Sequence, residues 1–446
     1  MMFKWEELKN ATGAVLLKNE AEKDKSFNIS TDTRTIKDGD IYLPLKGASF
    51  DGEKFIDNAM ESGAAGYFTR YNKVLDSAQI VFQVPDTLNA YLNIAKYYRL
   101  KINPITVAIT GSSGKTTTKE IVYSVLSQKY KTQKTYSNHN NEIGFCQTVL
   151  GMDKDTQALI VEMGMRGLGE IELISTHLKP DYAIITNSGT AHIGRLGSLD
   201  NIAKAKCEIT SGLKKDGTFI ALDQDIIKKH NKFKGEKIYY SLNNVDIIEK
   251  APSYSKFKYK NEVYELNVEG DYNIENSLAA IELGKKLNLS YEQIKKGLQE
   301  YHPIEKRWEL EEINGFKFIN DSYNANPDSM KASVKTFIEL YENPVVILGN
   351  MGELGENEIL YHKQVGEYLA KFNKKVKYIV IGNLAKEIGK ELEKEGIEVH
   401  YCQSNNEASC YILDNLNNNY TIFLKASRSM KFEEILVNIK RGICKL

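Results

Sequence analysis

The sequence predicts an α/β protein of three units in a row, each built on a sheet packed against helices. Three observations predict it. A continuous apolar strand, Ile105–Thr110, runs into a Gly/Ser turn and then a helix, the order expected of a strand buried on both faces of a parallel sheet. Strands at 158–163 and 182–187 alternate with helical segments, and after Pro303 four more strands alternate with four helices. A length of 446 residues suits about three domains at ~150 residues each.

Taken in order, the first unit is a small α/β module. Apolar strands at 40–45 and 79–84 flank a helix at 52–63, and a helix at 88–100 closes it. Asn103-Pro104 marks its end, because the residue before proline leaves the helical region. The second unit holds the strand at 105–110, a helix at 116–128, the two strands named above, a helix at 201–208 and another at 274–287. Between them, residues 219–264 are Lys/Asn-rich and short-stranded, and the pattern places them only loosely. The third unit has strands at 316–319, 345–348, 378–381 and 421–424, with helices at 329–340, 358–372, 384–395 and 432–441, a Rossmann-like order. The expected domains are 1–102, 103–302 and 303–446.

Charge and composition narrow the function. The 59 basic and 59 acidic residues cancel, which leaves no electrostatic footprint for nucleic acid or an anionic membrane. No apolar run approaches the ~20 residues of a membrane span, and the N-terminus lacks a signal-peptide core. Five scattered cysteines form no CxxC pair, so neither a disulfide framework nor a zinc site is expected. The expectation is a soluble, multi-domain, cytoplasmic protein.

The strongest local signal is Thr110-Gly111-Ser112-Ser113-Gly114-Lys115-Thr116-Thr117. It follows a buried strand and opens a helix, where backbone N–H groups and the helix dipole cradle a polyphosphate. Lys115 suits the β/γ phosphates and the Thr116 hydroxyl a Mg²⁺ ion. Glu162 ends the next strong strand on the carboxyl edge where open α/β sheets bind ligands, and its hard oxygens suit the same ion. His192 follows a Gly-rich turn, Ser188-Gly189-Thr190-Ala191, on that edge. Lys206 lies between Lys204 and Glu208, which read as an i,i+4 pair, so it points elsewhere.

These residues, with motifs in all three units, resemble the Mur ligases, the ATP-dependent amide-forming enzymes of peptidoglycan precursor synthesis. The resemblance rests on the phosphate loop, Asn138-His-Asn-Asn-Glu-Ile-Gly144, Glu162-Met-Gly, Gly189-Thr-Ala-His-Ile-Gly, Asn201-Ile-Ala-Lys-Ala-Lys-Cys-Glu-Ile, Asp271-Tyr-Asn-Ile-Glu-Asn276, Asn320-Asp-Ser-Tyr-Asn-Ala-Asn-Pro-Asp-Ser-Met330, Leu348-Gly-Asn-Met-Gly-Glu-Leu-Gly355 and Lys425-Ala-Ser-Arg428. The Asp-Ser-Tyr-Asn-Ala-Asn-Pro run and Glu-Leu-Gly point to the activity that adds D-Ala-D-Ala to UDP-MurNAc-tripeptide. The expected fold is the three-domain Mur ligase architecture: a small N-terminal α/β substrate domain, a central P-loop ATPase domain and a C-terminal Rossmann-like domain.

The resemblance implies roles. Lys115, His192, Lys206, Arg307 and Lys425 belong to catalysis. Gly111, Ser112, Ser113, Gly114, Lys115, Thr116, Thr117, Asn273, Asn276, Arg307 and Asp321 hold ATP, with Asn273 and Asn276 at the adenine. Thr33, Arg34, Lys46, Asp51, Asn141, Tyr323, Asn324, Asn326 and Arg428 hold the other substrates, Arg34 being apt for the diphosphate. Thr116, Glu162 and His192 look like ligands of two Mg²⁺ ions, joined by Lys206 if CO₂ carbamylates it. Glu53, Cys146, Tyr272 and Asn350 stand where the family commonly has His, Pro, His and Asp. The competing readings are a sibling ligase, a folylpolyglutamate synthetase, or a non-catalytic P-loop module. The third residue of the acceptor peptide, L-Lys or meso-diaminopimelate, is open.

Overall fold

The structure is a computed structural model that describes residues 2–47, 50–304, 306–372 and 374–442. Its middle is a six-stranded, wholly parallel sheet whose centre is the strand Ile105–Thr110. Val107, Ala108 and Ile109 are fully buried, as an apolar strand between two helical layers must be. Ala158–Glu162 lies on one side of it and Tyr182–Ile185 on the other, with Glu162 paired to Ile109 and Ile185 to Thr110. That register brings the phosphate loop, Glu162 and the segment after Ile185 to one carboxyl edge. The helix Lys115–Leu126 covers the sheet and packs against the helix Asp271–Lys286.

The first part of the chain carries a five-stranded sheet, parallel except for the edge strand Val15–Asn19. Its closing helix, Thr87–Ile102, is N-capped by Asp86 and ends at Asn103 in the left-handed conformation, directly before Pro104. The expected strand at 40–45 shrinks to Ile41–Tyr42, and the expected helix at 52–63 is a 3-10 turn, Gly52–Phe55, followed by Ile56–Glu61.

The last part is a six-stranded sheet in which Glu309–Ile313 is the antiparallel edge. The strand Phe316–Asn320 pairs with Thr421–Lys425, which pairs in turn with Pro344–Gly349. Asp321, Lys425 and the loop after Gly349 therefore leave one sheet edge together. The loosely placed stretch resolves into two more strands of the central sheet, Thr218–Leu222 and Glu236–Tyr240, and an antiparallel meander of three strands from Val245 to Leu266. Its middle strand, Tyr254–Tyr259, alternates half-exposed and buried residues, a period-2 pattern diluted in the sequence by the meander's many lysines. Among the described residues no helix is long and apolar enough to cross a membrane. Cys146, Cys207 and Cys402 are free and buried.

Candidate active site

The two carboxyl edges face each other across a cavity of about 1230 Å³. From the central sheet it is lined by Ser112 to Thr117, Asn141, Glu162, His192, Asn273 and Asn276. From the C-terminal part come Arg307, Asp321, Tyr323, Asn324, Asn326 and Lys425.

The loop turns where it must. Gly114 has φ 77° and caps the helix Lys115–Leu126, and a Cβ there would lie 2.4 Å from Asn276 Oδ1. A side chain would therefore meet both backbone strain and the helix Asp271–Lys286. Asn187 and Ser112 fix the loop's outer arm: Ser113 N–H donates to Asn187 Oδ1 at 3.0 Å, and Gly189 N–H donates to Ser112 Oγ at 2.8 Å. Lys115 curls back to donate to the Gly111 carbonyl at 2.8 Å. Burial pushes its ammonium pKa down, opposed by Glu162 and reinforced by Arg307.

Glu162 is the hub. It is 2% exposed, accepts from Thr116 Oγ1 at 3.0 Å and Asn140 Nδ2 at 2.9 Å, and lies 3.5 Å from the buried Lys119 ammonium. Burial pushes its carboxyl pKa up, but Lys119, Lys115 and the Asn140 hydrogen bond outweigh that and hold it below the usual range. It is ionised at neutral pH. Lys119 also touches Glu120, which pairs with Lys134, so the positive charge is shared along a buried chain. The Thr116 hydroxyl and the Glu162 carboxylate make a hard-oxygen pair that fits Mg²⁺. Among the described residues no group of three or more His, Cys, Asp or Glu is arranged for a metal, so phosphate oxygens and water would supply the remaining ligands.

His192 occupies a left-handed position (φ 65°), and its Nδ1 approaches Glu353 Oε2 at 2.5 Å. The approach is close yet obliquely directed for a hydrogen bond, since Nδ1 finds no well-aligned acceptor. The contact to His192 holds the Glu353 carboxyl below its ordinary range against the effect of burial. Lys206 is 1% exposed, and burial drives its amine pKa well below the ordinary value, helped by repulsion from Lys115. It is not among the residues lining the cavity.

On the C-terminal side the Arg307 guanidinium stacks 3.9 Å above the Tyr323 ring centroid. Lys425 pairs with Asp321 at 2.5 Å and donates to the Asn324 carbonyl at 3.3 Å. Asn326 faces the cavity, but its side chain caps the helix Pro327–Leu340, accepting from Ser329 N–H at 2.9 Å. Asn141 likewise caps Glu142–Leu150.

Thr33, Arg34, Lys46, Asp51 and Arg428 are not among the residues lining this cavity. Arg34 folds back on Asp32 at 2.6 Å, and Asp51 pairs with Arg70, which Glu53 also holds. Arg428 pairs with Glu433. Ala48 and Ser49, between Lys46 and Asp51, lie outside the described residues. Sequence reasoning missed Asn140, Lys119, Asn187, Glu353 and Asp328. Asn140, Glu353 and Asp328 stand inside the quoted runs, and Asn187 and Lys119 close beside them, but nothing in the sequence pairs any of them with its partner.

The substituted motif positions have local explanations. Asn350 accepts from Leu384 N–H and Ala385 N–H at the start of the helix Ala385–Lys394, two acceptor bonds that an Asp carboxylate would also make. Glu53 holds Arg70 and Thr69. Tyr272 stacks edge-on against Trp308 at 5.9 Å, and Cys146 is buried.

Comparison with known proteins agrees with this geometry. Residues 27–108 match the Mur ligase family catalytic domain, 109–284 the Mur ligase middle domain, and 306–428 the Mur ligase glutamate ligase domain. The chain belongs to the Mur ligase family. Among Mur ligases it is 35% identical over 425 residues to the UDP-N-acetylmuramoyl-tripeptide–D-alanyl-D-alanine ligase of Bacillus subtilis, covering 92% of each chain. It superposes on MurF from Acinetobacter baumannii with a TM-score of 0.90 at 27% identity, over 99% of both chains. It also shares the fold of the MurF ligase from Thermotoga maritima solved with ADP (TM-score 0.83, 23% identity, 93% of this chain and 97% of that one).

Proposed function

We infer that this Mur ligase joins D-alanyl-D-alanine to UDP-N-acetylmuramoyl-tripeptide, with ATP cleaved to ADP and phosphate. The observation that carries this reading is the meeting of Lys115, Glu162, Arg307 and Lys425 from two sheets in one cavity large enough for a nucleotide and a peptide end. The Bacillus subtilis relative supports the choice of substrates.

The first step brings two anions together. The γ-phosphoryl group leaves the β-phosphate oxygen and bonds to a carboxylate oxygen of the tripeptide, giving an acyl phosphate and ADP. Lys115 and Arg307 oppose the charge on the transferring group, and backbone N–H groups of the loop align it. The neutral amine of the dipeptide then attacks the acyl carbon, and the C–O bond to phosphate breaks. Thr116 and Glu162 would hold Mg²⁺, which would supply charge neutralisation for the phosphates. Arg307, Asp321 and Lys425 close the cavity from the C-terminal side and limit loss of the acyl phosphate to water.

Two finer readings belong here. Lys206 is proposed to carry a carbamate and to join the metal site with His192. Burial favours its neutral amine, the form that attacks CO₂ and releases a proton. The N-terminal residues Thr33, Arg34, Lys46 and Asp51 are proposed to hold the uridine diphosphate end, with domains dividing at 1–102, 103–302 and 303–446. A monomer and a cytoplasmic location are proposed with it, the need for ATP supporting the second.

The test is phosphate release with purified protein, ATP, UDP-MurNAc-tripeptide and D-Ala-D-Ala, each omitted in turn. Release that needs both co-substrates, with a pentapeptide product by mass, is expected, and running each tripeptide separately identifies its third residue. ATP binding with no turnover on any dipeptide would overturn the reading in favour of a binding module. For Lys206, ¹³C-bicarbonate should give a carbamate resonance that the Lys206→Ala protein lacks.

A further inference from the structure

His192 and Glu353 face each other from different sheets, and the backbone on both sides is built for the meeting. His192 sits at φ 65° and Glu353 at φ 60°, left-handed positions that non-glycine residues occupy at a cost. The Glu353 carbonyl accepts from Gly194 N–H at 3.0 Å, and a Cβ at Gly194 would lie 2.3 Å from Gly355 N, so the two backbones touch. Glu353 places one carboxylate oxygen 2.5 Å from His192 Nδ1 and the other 3.4 Å from Arg195 Nε. Alongside, Asp328 Oδ2 accepts from both the N–H and the hydroxyl of Thr190, each at 2.8 Å. Thr190 adjoins Gly189, whose N–H is bonded to Ser112 of the phosphate loop.

We propose that Glu353 is the positioning residue of His192, so that the C-terminal sheet sets the ring's place at the edge of the phosphate site. Glu353 stands against the buried Nδ1 as a close charge contact, which leaves Nε2 as the ring nitrogen for the cavity that His192 lines. A carboxylate behind a functional imidazole fixes its orientation, and removing such a partner typically costs about 10–100-fold in function. The strain at both residues is kept because the contact needs those backbone angles. Glu353 lines the cavity beside His192 and acts through the ring, a role that rests on the ligase reading.

The test uses the full-length protein and two variants. Glu353→Gly removes the carboxylate while relaxing the left-handed backbone, and Glu353→Gln keeps an acceptor for Nδ1. The expected result is a kcat about 10–100-fold lower for Glu353→Gly with KM for ATP within twofold, and substantial recovery in Glu353→Gln. A double Glu353→Gly/His192→Ala protein should be no slower than His192→Ala alone. In ¹⁵N-histidine-labelled protein, Glu353→Gly should shift the His192 ring resonances, assigned by their loss in His192→Ala. An unchanged kcat, fully multiplicative losses in the double variant, or unmoved His192 resonances would each overturn the proposal. Failure of the ligase reading shows separately, as wild-type protein that makes no pentapeptide while the resonances still report the contact.

Discussion

Lys119 and Glu162 form a fully enclosed charge pair, 3.5 Å apart, under the phosphate loop. Both side chains are essentially inaccessible, so each depends on the other for compensation that water cannot give. Lys119 has a second partner in Glu120 at 3.2 Å, and Glu120 in turn holds Lys134. Truncating Glu162 therefore leaves one excess buried positive charge. Glu162→Ala should lower unfolding free energy by about 3 kcal/mol, the low end for breaking a buried pair, because Glu120 remains. Adding Lys119→Met should restore most of it, a coupling that urea unfolding of the two singles and the double measures. Both proteins should lose ligase activity, which separates the carboxylate's role in the site from its role in the fold.

Arg307 is placed by stacking as well as by charge. Its guanidinium lies 3.9 Å from the Tyr323 ring centroid, a flat contact that a lysine ammonium reproduces poorly. Arg307→Lys should cut kcat/KM about tenfold, and Arg307→Ala about 10²–10³-fold, the scale of losing one transition-state charge partner. Melting temperature should hardly move, since the residue is only partly buried. Wild-type kcat/KM in Arg307→Ala would remove this residue from the mechanism.

What the sequence made legible follows from how local each signal is. The phosphate loop was readable because strand, glycine turn, Lys-Thr and helix lie within consecutive residues, and the structure keeps them in that order. Helices with a strong apolar stripe were placed to within a few residues, as at Pro327–Leu340 and Ala385–Lys394. Helix Glu142–Leu150 was missed because it is nearly uniformly apolar and shows no face, and the meander at 245–266 because lysines interrupt its alternation. Glu353 and Asp328 were invisible as partners of His192 and Thr190. Their contacts join residues more than a hundred positions apart, and no periodicity reports on the docking of one sheet against another.

Glu433 ties the segment before Arg307 to the Arg428 motif, through Lys306 at 3.1 Å and Arg428 at 2.5 Å. Burial alone would push its carboxyl pKa up, but these two cations and a backbone donor bring it down to about 2 from an ordinary 4.5. A depressed carboxylate stabilises the fold above its unfolded pKa, and that contribution fades as pH falls through the folded one. Glu433→Gln should thus be less stable than wild type by on the order of 1 kcal/mol at pH 7, given partial solvent access. The gap should be flat above about pH 5 and close between 4.5 and about 2. A gap that persists unchanged to pH 2 would show that Glu433 contributes by packing alone.

Arg99 joins the N-terminal module to the phosphate strand. It projects from the helix Thr87–Ile102, is 1% exposed, and donates through Nη2 to Thr106 Oγ1 and to the Lys179 carbonyl, both at 3.0 Å. Asp181 lies 3.9 Å away and also accepts from Thr106 N–H and the Lys214 ammonium. The guanidinium's pKa is lowered by burial and sustained by Asp181, yet an arginine stays charged at any working pH. Arg99→Ala removes the charge, the two hydrogen bonds and the packed volume together, so a loss of about 3–5 kcal/mol is expected. Arg99→Met keeps most of the volume and should cost about 1–3 kcal/mol, for the acceptors left unpaired. Neither change reaches the cavity, so kcat and KM at 25 °C should stay within about twofold wherever the protein is folded. Urea unfolding followed by steady-state assay of the same preparations measures both. A large drop in kcat at unchanged stability would mean that Arg99 acts on the phosphate loop through strand Ile105–Thr110, beyond anchoring the helix.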